Sequence, residues 1–534
     1  MLTHRELPDS AEKFAAGLRA AGVGGGDLVG LLMPTAPELL TAFFGTAVAG
    51  AAVTVLPLPP VVLDPAAVAR GLVPTLNTSG IRHLVVLGAG EAIGAELAGQ
   101  FPRLKLICPA ALAAEPKTSG MRRADPAPDS LALVQFSSGS TTRPKGVMLT
   151  HQAFLTGVSA INAHIGARSD DVLVSWVPLF HDLGLVGLMC SLLSLSDAHV
   201  FSPLTFIRHP DEFLRHLGRV GGTVTTGPNF AYDRLARAAA SAFGTSPADA
   251  PLSRWRLALI GAEMVQGRTL DRFDAAFAPL GVPSSALCPC YGMAEATLAV
   301  TMPPLGQTPR RLSVDRSSLV PGGRVRLAAP GIAGSWQLTA LGVPVPGIQL
   351  RVAGESGTAL PEDTLGEICI RGPATTTGYL RDEEATRQAL RGGWLHTGDL
   401  GLLHHGELYV AGRTKDMIAV QGRNFYPDDV EEATRGVADV HRGHCVAVAD
   451  PLTEQMVIVA EAAGGDGHER LADDIRGAVS NALGLVAVRV VVPPRTLPRT
   501  TSGKWQRSLV REFLTAHTGT EGSEGATSDF TTGK

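Results

Sequence analysis

An α/β protein of at least two domains is what this sequence predicts, and three observations predict it. At 534 residues the chain exceeds the size at which one hydrophobic core stops growing. Up to about residue 410, short β-branched runs (LVGLLM, HLVVL, DVLVSWVP, WRLALIG) alternate with alanine- and leucine-rich stretches of helical length, the rhythm of mostly parallel sheets covered by helices. From Gly347 the texture changes to strand-and-turn pieces, and after Arg413 to a shorter unit of mixed helices and strands.

The opening segment MLTHRELPDSAEKF is polar, with Asp9 and Glu12 at capping-box spacing before a helix that turns Phe14 and Leu18 inward, and it has no signal-peptide pattern. Residues 39–63 contain no charge and are long enough to cross a bilayer. Gly45, Gly50, Pro57, Pro59 and Pro60 interrupt that run, so it reads as a helix ending near Ala49 followed by a buried strand, VTVLPL. In VVLGAGEAIG, Gly88, Gly90 and Gly94 follow a strand as in a dinucleotide-binding turn. The spacing is G-x-G-x-x-x-G, however, and no acidic residue closes the next apolar run, LKLIC, so an oxidoreductase reading rests on this turn alone.

Farther on, IQLRVAG, GEICIRG and GELYVAGR read as a compact β subdomain at 347–412, closing a large domain over 1–412 that carries a proline-rich, insertion-like segment at 301–346. Residues 417–517 read as an α+β domain: helical DDVEEATRG, strands VAVAD and MVIVAEAA, helix RLADDIRGAVSNAL and strand VRVVVPP. The Ser/Thr/Gly/Glu-rich end, 518–534, reads as a disordered tail.

With 46 basic and 50 acidic residues, the formal charge of −4 gives no electrostatic reason to expect nucleic acid or an anionic membrane as partner, and a small or apolar ligand fits better. The six cysteines form no framework. Cys288 and Cys290, in CPC, lack the second pair a zinc site would need and read as core cysteines of a cytoplasmic protein.

Chemistry gathers in several polar runs. QFSSGSTTRPKG sets Ser137, Ser138, Gly139, Ser140, Thr141 and Thr142 before Lys145, between a buried strand and a helix that Thr150 is placed to cap. Glycine admits close backbone approach, hydroxyls donate hydrogen bonds and lysine adds a point charge, which together make a phosphate grip. It is not a P-loop, because Pro144 stands where a glycine should precede the lysine and Gly146 where a hydroxyl should follow. PLFHDLGLVG places His181 and Asp182 at a strand's C-terminal end, where open α/β sheets bind ligands. LIGAEM offers Gly261, Ala262 and Glu263 after another strand, and CYGMAEATLAV offers Tyr291, Gly292 and Glu295 in an expected strand-to-helix turn. HTGDLG offers Asp399, GRTKD offers Arg413, Lys415 and Asp416, and TTSGK offers Lys504.

In this order the motifs resemble those of the adenylate-forming (ANL) superfamily of acyl-CoA synthetases, nonribosomal adenylation domains and firefly-type luciferases, over nearly the whole chain. Within it, PLFHDLGLVG, GPNFAY, YGMAEATLAV and GRNFYPDDVE, with the 301–346 segment, are similar to fatty acyl-AMP ligases. The start close to the THREL box without a longer leader, and SWQLTALG inside the insertion, depart from that pattern.

The resemblance implies ATP and Mg²⁺ as cofactors, with Ser137 to Thr142 and Lys145 on the β- and γ-phosphates and Glu295 on the metal. Tyr291 would stack on adenine against Gly261, Ala262 and Glu263, with Gly292 in the same motif. Asp399 and Arg413 would hold the ribose, His181 and Asn229 would line the acyl pocket, and Lys504 would be the catalytic lysine. It further implies a hinge at 413–416 centred on Lys415, about which the small domain rotates to exchange the Lys504 loop for the face carrying Gly422 to Tyr426. The implied acceptor is the phosphopantetheine thiol of an acyl carrier protein, with CoA as the alternative. A silent nucleotide-binding module is a further alternative, against which Glu295, Asp399 and Lys504 all stand in the sequence.

Overall fold

The structure, a computed structural model, describes residues 2–112, 126–136, 144–244, 251–332, 334–414, 417–420, 423–450, 455–464, 468–483, 485, 488–492, 497–498 and 505–517. Ser137 to Thr142, Lys415, Asp416, Gly422, Lys504 and the 518–534 tail lie outside the described residues.

Two sheets build the large domain. One has seven strands in the order Gly378–Tyr379, Gly146–Thr150, Leu131–Phe136, Ala52–Val55, Leu28–Leu32, His83–Val86, Lys105–Ile107, parallel except around Gly146–Thr150. The other has five parallel strands, Leu287–Pro289, Leu257–Ile260, Val224–Gly227, Val172–Ser175 and Asp197–Val200. The inner strands are buried along their length because both faces are covered, and a hydrophobic core runs through both sheets and the helices His151–His164 and Asp182–Leu193. The charge-free run resolves as a helix, Pro37–Ala49, closed by Gly50, and a buried strand, Ala52–Val55. Among the described residues no helix is long and apolar enough to cross a membrane.

The glycine turn after His83–Val86 has a packing cause. A Cβ on Gly90 would come within 2.0 Å of the Leu32 carbonyl oxygen, so glycine lets the helix Ala89–Gln100 lie against the neighbouring strand without any nucleotide. Two local expectations are corrected. The first helix, Glu6–Ala20, starts before Asp9, because Thr3 and Glu6 cap its start reciprocally: the Thr3 amide donates to Glu6 Oε2 and the Glu6 amide donates to Thr3 Oγ1. YGMAEA is not a strand-to-helix turn but a reversal between the antiparallel strands Tyr291–Gly292 and Ala299–Met302. One 3₁₀ turn at Ala294–Ala296 is followed by Thr297 at φ +65°, whose hydroxyl donates to the Ala153 and Ala374 carbonyls and draws the chain back.

The β subdomain is a sheet of Gln349–Ala353, Gly366–Arg371, Trp394–His404, Leu390–Arg391 and Glu407–Arg413. The insertion-like segment forms a hairpin, Arg311–Asp315 with Ser335–Thr339. The C-terminal unit packs Pro427–Arg435 and His468–Leu483 on one face of the sheet Val440–Ala449, Met456–Ala462, Val488–Val492 and Arg507–His517 on the other.

Insertion and C-terminal unit share a core: Leu312, Val314 and Leu338 cluster with Leu400, Tyr409 and Tyr426. Trp336 stacks on Tyr426 at 6.1 Å, and Arg316 pairs with the buried Asp429 at 2.6 Å. Burial outweighs that guanidinium and lifts the Asp429 carboxyl from 3.8 to about 7. As pH rises from about 4 to about 7, the unfolded chain therefore gives up this proton before the folded one, and stability falls across that window. The stability of wild type relative to Asp429→Asn, read from thermal melts, is expected to drop over the same window by on the order of a few kcal/mol and to level off above it.

Candidate functional site

Several of the predicted residues that the structure describes follow the C-terminal ends of the five-stranded sheet. Val172–Ser175 leads to His181 and Asp182, Val224–Gly227 to Asn229, Leu257–Ile260 to Gly261, Ala262 and Glu263, and Leu287–Pro289 to Tyr291. Two glycines are required by close approach: a Cβ on Gly292 would lie 1.9 Å from the Leu298 carbonyl oxygen, and one on Gly261 would meet Cys290 Sγ at 2.8 Å. Ala262, at φ +66°, holds a left-handed conformation that disfavours a side chain, on the wall of the cavity described below.

Two polar networks meet there. In the first, the Tyr291 hydroxyl donates to Asp399 Oδ2 at 2.7 Å and Arg413 Nε donates to Oδ1 at 2.8 Å. Asp399 is buried, and burial together with its negative charge pushes the Tyr291 hydroxyl well above the usual tyrosine range, so tyrosine is the donor. Each carboxylate oxygen retains a lone-pair direction for a further donor. In the second network, Tyr379 donates to Glu295 Oε1 at 2.9 Å, while the Lys145 ammonium sits over the same ring, 4.8 Å from its centroid. Burial raises the Glu295 carboxyl above the usual carboxylate range, against the hydrogen bonds it accepts.

Other predicted residues make contacts with the scaffold. Asn229 does not line the cavity: its amide and Nδ2 donate to Glu263 Oε1, Nδ2 also to the Met264 carbonyl, and its Oδ1 accepts from the Gln266 amide, so it ties down the turn after Leu257–Ile260. His181 precedes the helix Asp182–Leu193 and packs on Phe180, whose carbonyl accepts from Gln135 Nε2, linking this loop to the strand that leads into Ser137. Cys288 and Cys290 are free thiols, and burial pushes Cys290 up to about 12, in keeping with core cysteines.

Two functional neighbours escape sequence reading. Tyr379 lies 84 residues from Glu295, and its signal was only a Gly-Tyr pair on an edge strand. Glu367 braces the turn before Asp399, accepting from His396 Nδ1 at 2.7 Å and from the Gly398 amide at 3.1 Å. Two clusters, Glu367 with Cys369 and His396, and His441 with His444 and Glu461, bring three ligand-type atoms within 4.8 Å, yet neither lies beside Glu295 in the networks above.

A cavity opens between Ala262, Tyr291 and Gly292 and extends beneath Asp182–Leu193 toward Asn162 and Ile165, along mostly apolar walls. Tyr291 lines this cavity, so the Asp399 carboxylate and the Arg413 guanidinium behind it stand next to an apolar recess, an arrangement suited to holding a polar headgroup beside a hydrophobic tail. Residues 1–380 match the family model described as AMP-binding enzyme. The chain belongs to the AMP-binding enzymes. A Caulobacter vibrioides protein named as an acyl-CoA synthetase is 33% identical over 528 residues, covering 97% of this chain and 91% of its own. The medium-chain-fatty-acid–[acyl-carrier-protein] ligase JamA of Moorena producens is 33% identical over 550 residues, covering 96% and 90%. Among solved structures, one from work on fatty acyl-adenylate ligases of E. coli and L. pneumophila superposes with a TM-score of 0.89 at 28% identity, covering 97% of this chain and 93% of that one. This AMP-binding enzyme is an adenylate-forming ligase with the α/β adenylation fold.

Proposed function

We propose that the enzyme activates a fatty or otherwise hydrophobic carboxylic acid as its acyl-adenylate, releasing pyrophosphate, and passes the acyl group to the phosphopantetheine thiol of an acyl carrier protein. The carrying observation is the pair of networks Lys145–Tyr379–Glu295 and Tyr291–Asp399–Arg413, the second of which reaches the wall of an apolar cavity through Tyr291.

Attack of a carboxylate on the α-phosphorus of ATP joins two anions, and repulsion is the first obstacle. Glu295 fits a Mg²⁺ ligand: it is a half-buried carboxylate whose Oε1 is steered by Tyr379, in a site where a charged carboxylate gains from a cation. A bound Mg²⁺ would supply charge neutralisation of the phosphate oxygens. Lys145, with Ser137 to Thr142, would grip the β- and γ-phosphates. Asp399 would accept the ribose hydroxyls in the lone-pair directions left by Tyr291 and Arg413, which hold it in place. The Tyr291 ring, on the cavity wall beside Gly292, would flank adenine, and Lys504 would meet the charge that develops between the reacting anions. Transfer then requires the Lys504 loop to leave, and we place the hinge at Lys415.

The carrier is favoured over CoA by the insertion hairpin, because the Arg316–Asp429 pair and the Trp336–Tyr426 stack oppose free rotation of the C-terminal unit. With ATP, a panel of fatty acids and free CoA, acyl-AMP is expected to accumulate, with thioester forming only when a phosphopantetheinylated carrier is added. Acyl-CoA as the main product would transfer the assignment to the CoA ligases. Replacing Arg316 by Met together with Trp336→Ala is expected to raise the acyl-CoA yield severalfold, measured by mass spectrometry.

A further inference from the structure

The recess beneath Asp182–Leu193 is not uniformly apolar. Two buried side-chain oxygens on its wall, Asn162 Oδ1 and Thr226 Oγ1, have no hydrogen-bond partner among the described residues. Asn162 is oriented by its other end, since Nδ2 donates to the Cys190 carbonyl at 2.9 Å, so the oxygen is the atom left over and it can only accept. Thr226 is 4% exposed and lies in the central strand Val224–Gly227. Its neighbour Thr225, on the opposite face of that strand, has its hydroxyl partnered by Tyr232 and by Trp255 Nε1. The contrast is therefore between two faces of one strand: the face turned to the protein core is satisfied, and the face turned to the cavity is not.

Two further polar groups on the wall are already engaged. Ser194 Oγ donates to the Cys190 and Ser191 carbonyls, and Asp171 is held by Arg256 and Thr223. A wall built only for methylene groups would carry leucine and valine in place of Asn162 and Thr226, because closing an alkyl chain over an unpartnered buried oxygen is unfavourable.

We infer that the acid activated here carries a hydroxyl on its chain, which donates to Asn162 Oδ1 while Thr226 Oγ1 is open to the same or a second oxygen, and is not a plain alkanoic acid. The inference rests on the adenylation reading above and narrows its substrate class. A chain bearing only a carbonyl would answer Thr226 and leave Asn162 unanswered.

The test compares acid-dependent pyrophosphate release by the full-length enzyme with alkanoic acids and with hydroxyalkanoic acids of equal length, the hydroxyl moved along the chain. For at least one isomer, wild-type kcat/KM is expected to exceed that of the plain acid about ten- to a hundredfold. Asn162→Leu or Thr226→Val is expected to erase most of that preference, mainly by improving the plain acid. Alkanoic acids matching or surpassing every hydroxylated isomer in the wild type would overturn the inference and leave adenylation standing. A preference unchanged in both variants would overturn it as well. No pyrophosphate release with any acid would overturn the adenylation reading, and this inference with it. Should a variant not fold, the wild-type comparison decides alone, supplemented by calorimetry with non-hydrolysable acyl-adenylate analogues with and without the hydroxyl, which are expected to differ in Kd by a similar factor.

Discussion

Glu295→Gln is expected to lower acid-dependent pyrophosphate release about a hundred- to a thousandfold while leaving the protein as stable as wild type or more so. The two effects separate because the carboxylate is in a poor place for a charge in the free enzyme. Burial raises its pKa, so ionisation above that value destabilises the fold, and a neutral amide of the same shape avoids the penalty. Gln can still accept from the Tyr379 hydroxyl through its own carbonyl oxygen, so the local geometry should persist. What is lost is the negative charge for a divalent cation. Cation binding selects the ionised form, so wild-type affinity for Mg²⁺ should rise with pH through the raised pKa and flatten above it. Thermal melts at pH 8 beside a Mg²⁺ titration of turnover check both halves. An unaltered Mg²⁺ dependence in the variant would remove Glu295 from the metal.

Lys504→Ala should abolish adenylate formation by a comparable or larger factor and spare ATP binding, since the charge is needed where the two anions meet and not for holding the nucleotide. The substitution is expected to leave the fold intact, because the segment is anchored on either side of that lysine. The Leu497 amide donates to the buried Glu461 at 3.0 Å, and Trp505 packs edge-on against His444 at 5.5 Å. Nucleotide binding by calorimetry together with pyrophosphate release distinguishes the outcomes. Unchanged release would show that another group supplies the charge.

The fold class was legible because hydrophobic periodicity is local: buried parallel strands read as unbroken apolar runs, and Thr150 caps its helix as its position suggests, accepting from the Ala153 amide. Local pattern misled where two solutions competed within a few residues. Thr3-x-x-Glu6 and Asp9-x-x-Glu12 both fit a capping box, and only the first is used at the start of Glu6–Ala20. MAEA has helix-forming composition, but tertiary bonds from Thr297 override it. In the site, residues that cluster within one motif were visible. Bonds between distant motifs were not: Asp399 and Tyr291 are each named by their motifs, but the bond across the 108 residues between them is not, and neither Tyr379 nor Glu367 stands in a run that advertises its role. An Asn after a strand looks the same in sequence whether it faces a ligand or bonds to the next turn, and Asn229 bonds to Glu263 and Met264.

The seat of Tyr426 on the large domain bears on how long the activated product survives. Its ring lies so close to the chain that a Cβ at Gly412 would come within 2.3 Å of it, and only 2% of the residue meets solvent. Any motion that swings the C-terminal unit aside must wet this aromatic face, at roughly 2 kcal/mol for a ring of that size. Such a toll on opening favours retention: the mixed anhydride would stay sheltered from hydrolysis through most encounters, until a docking protein repays the exposed surface with contacts of its own.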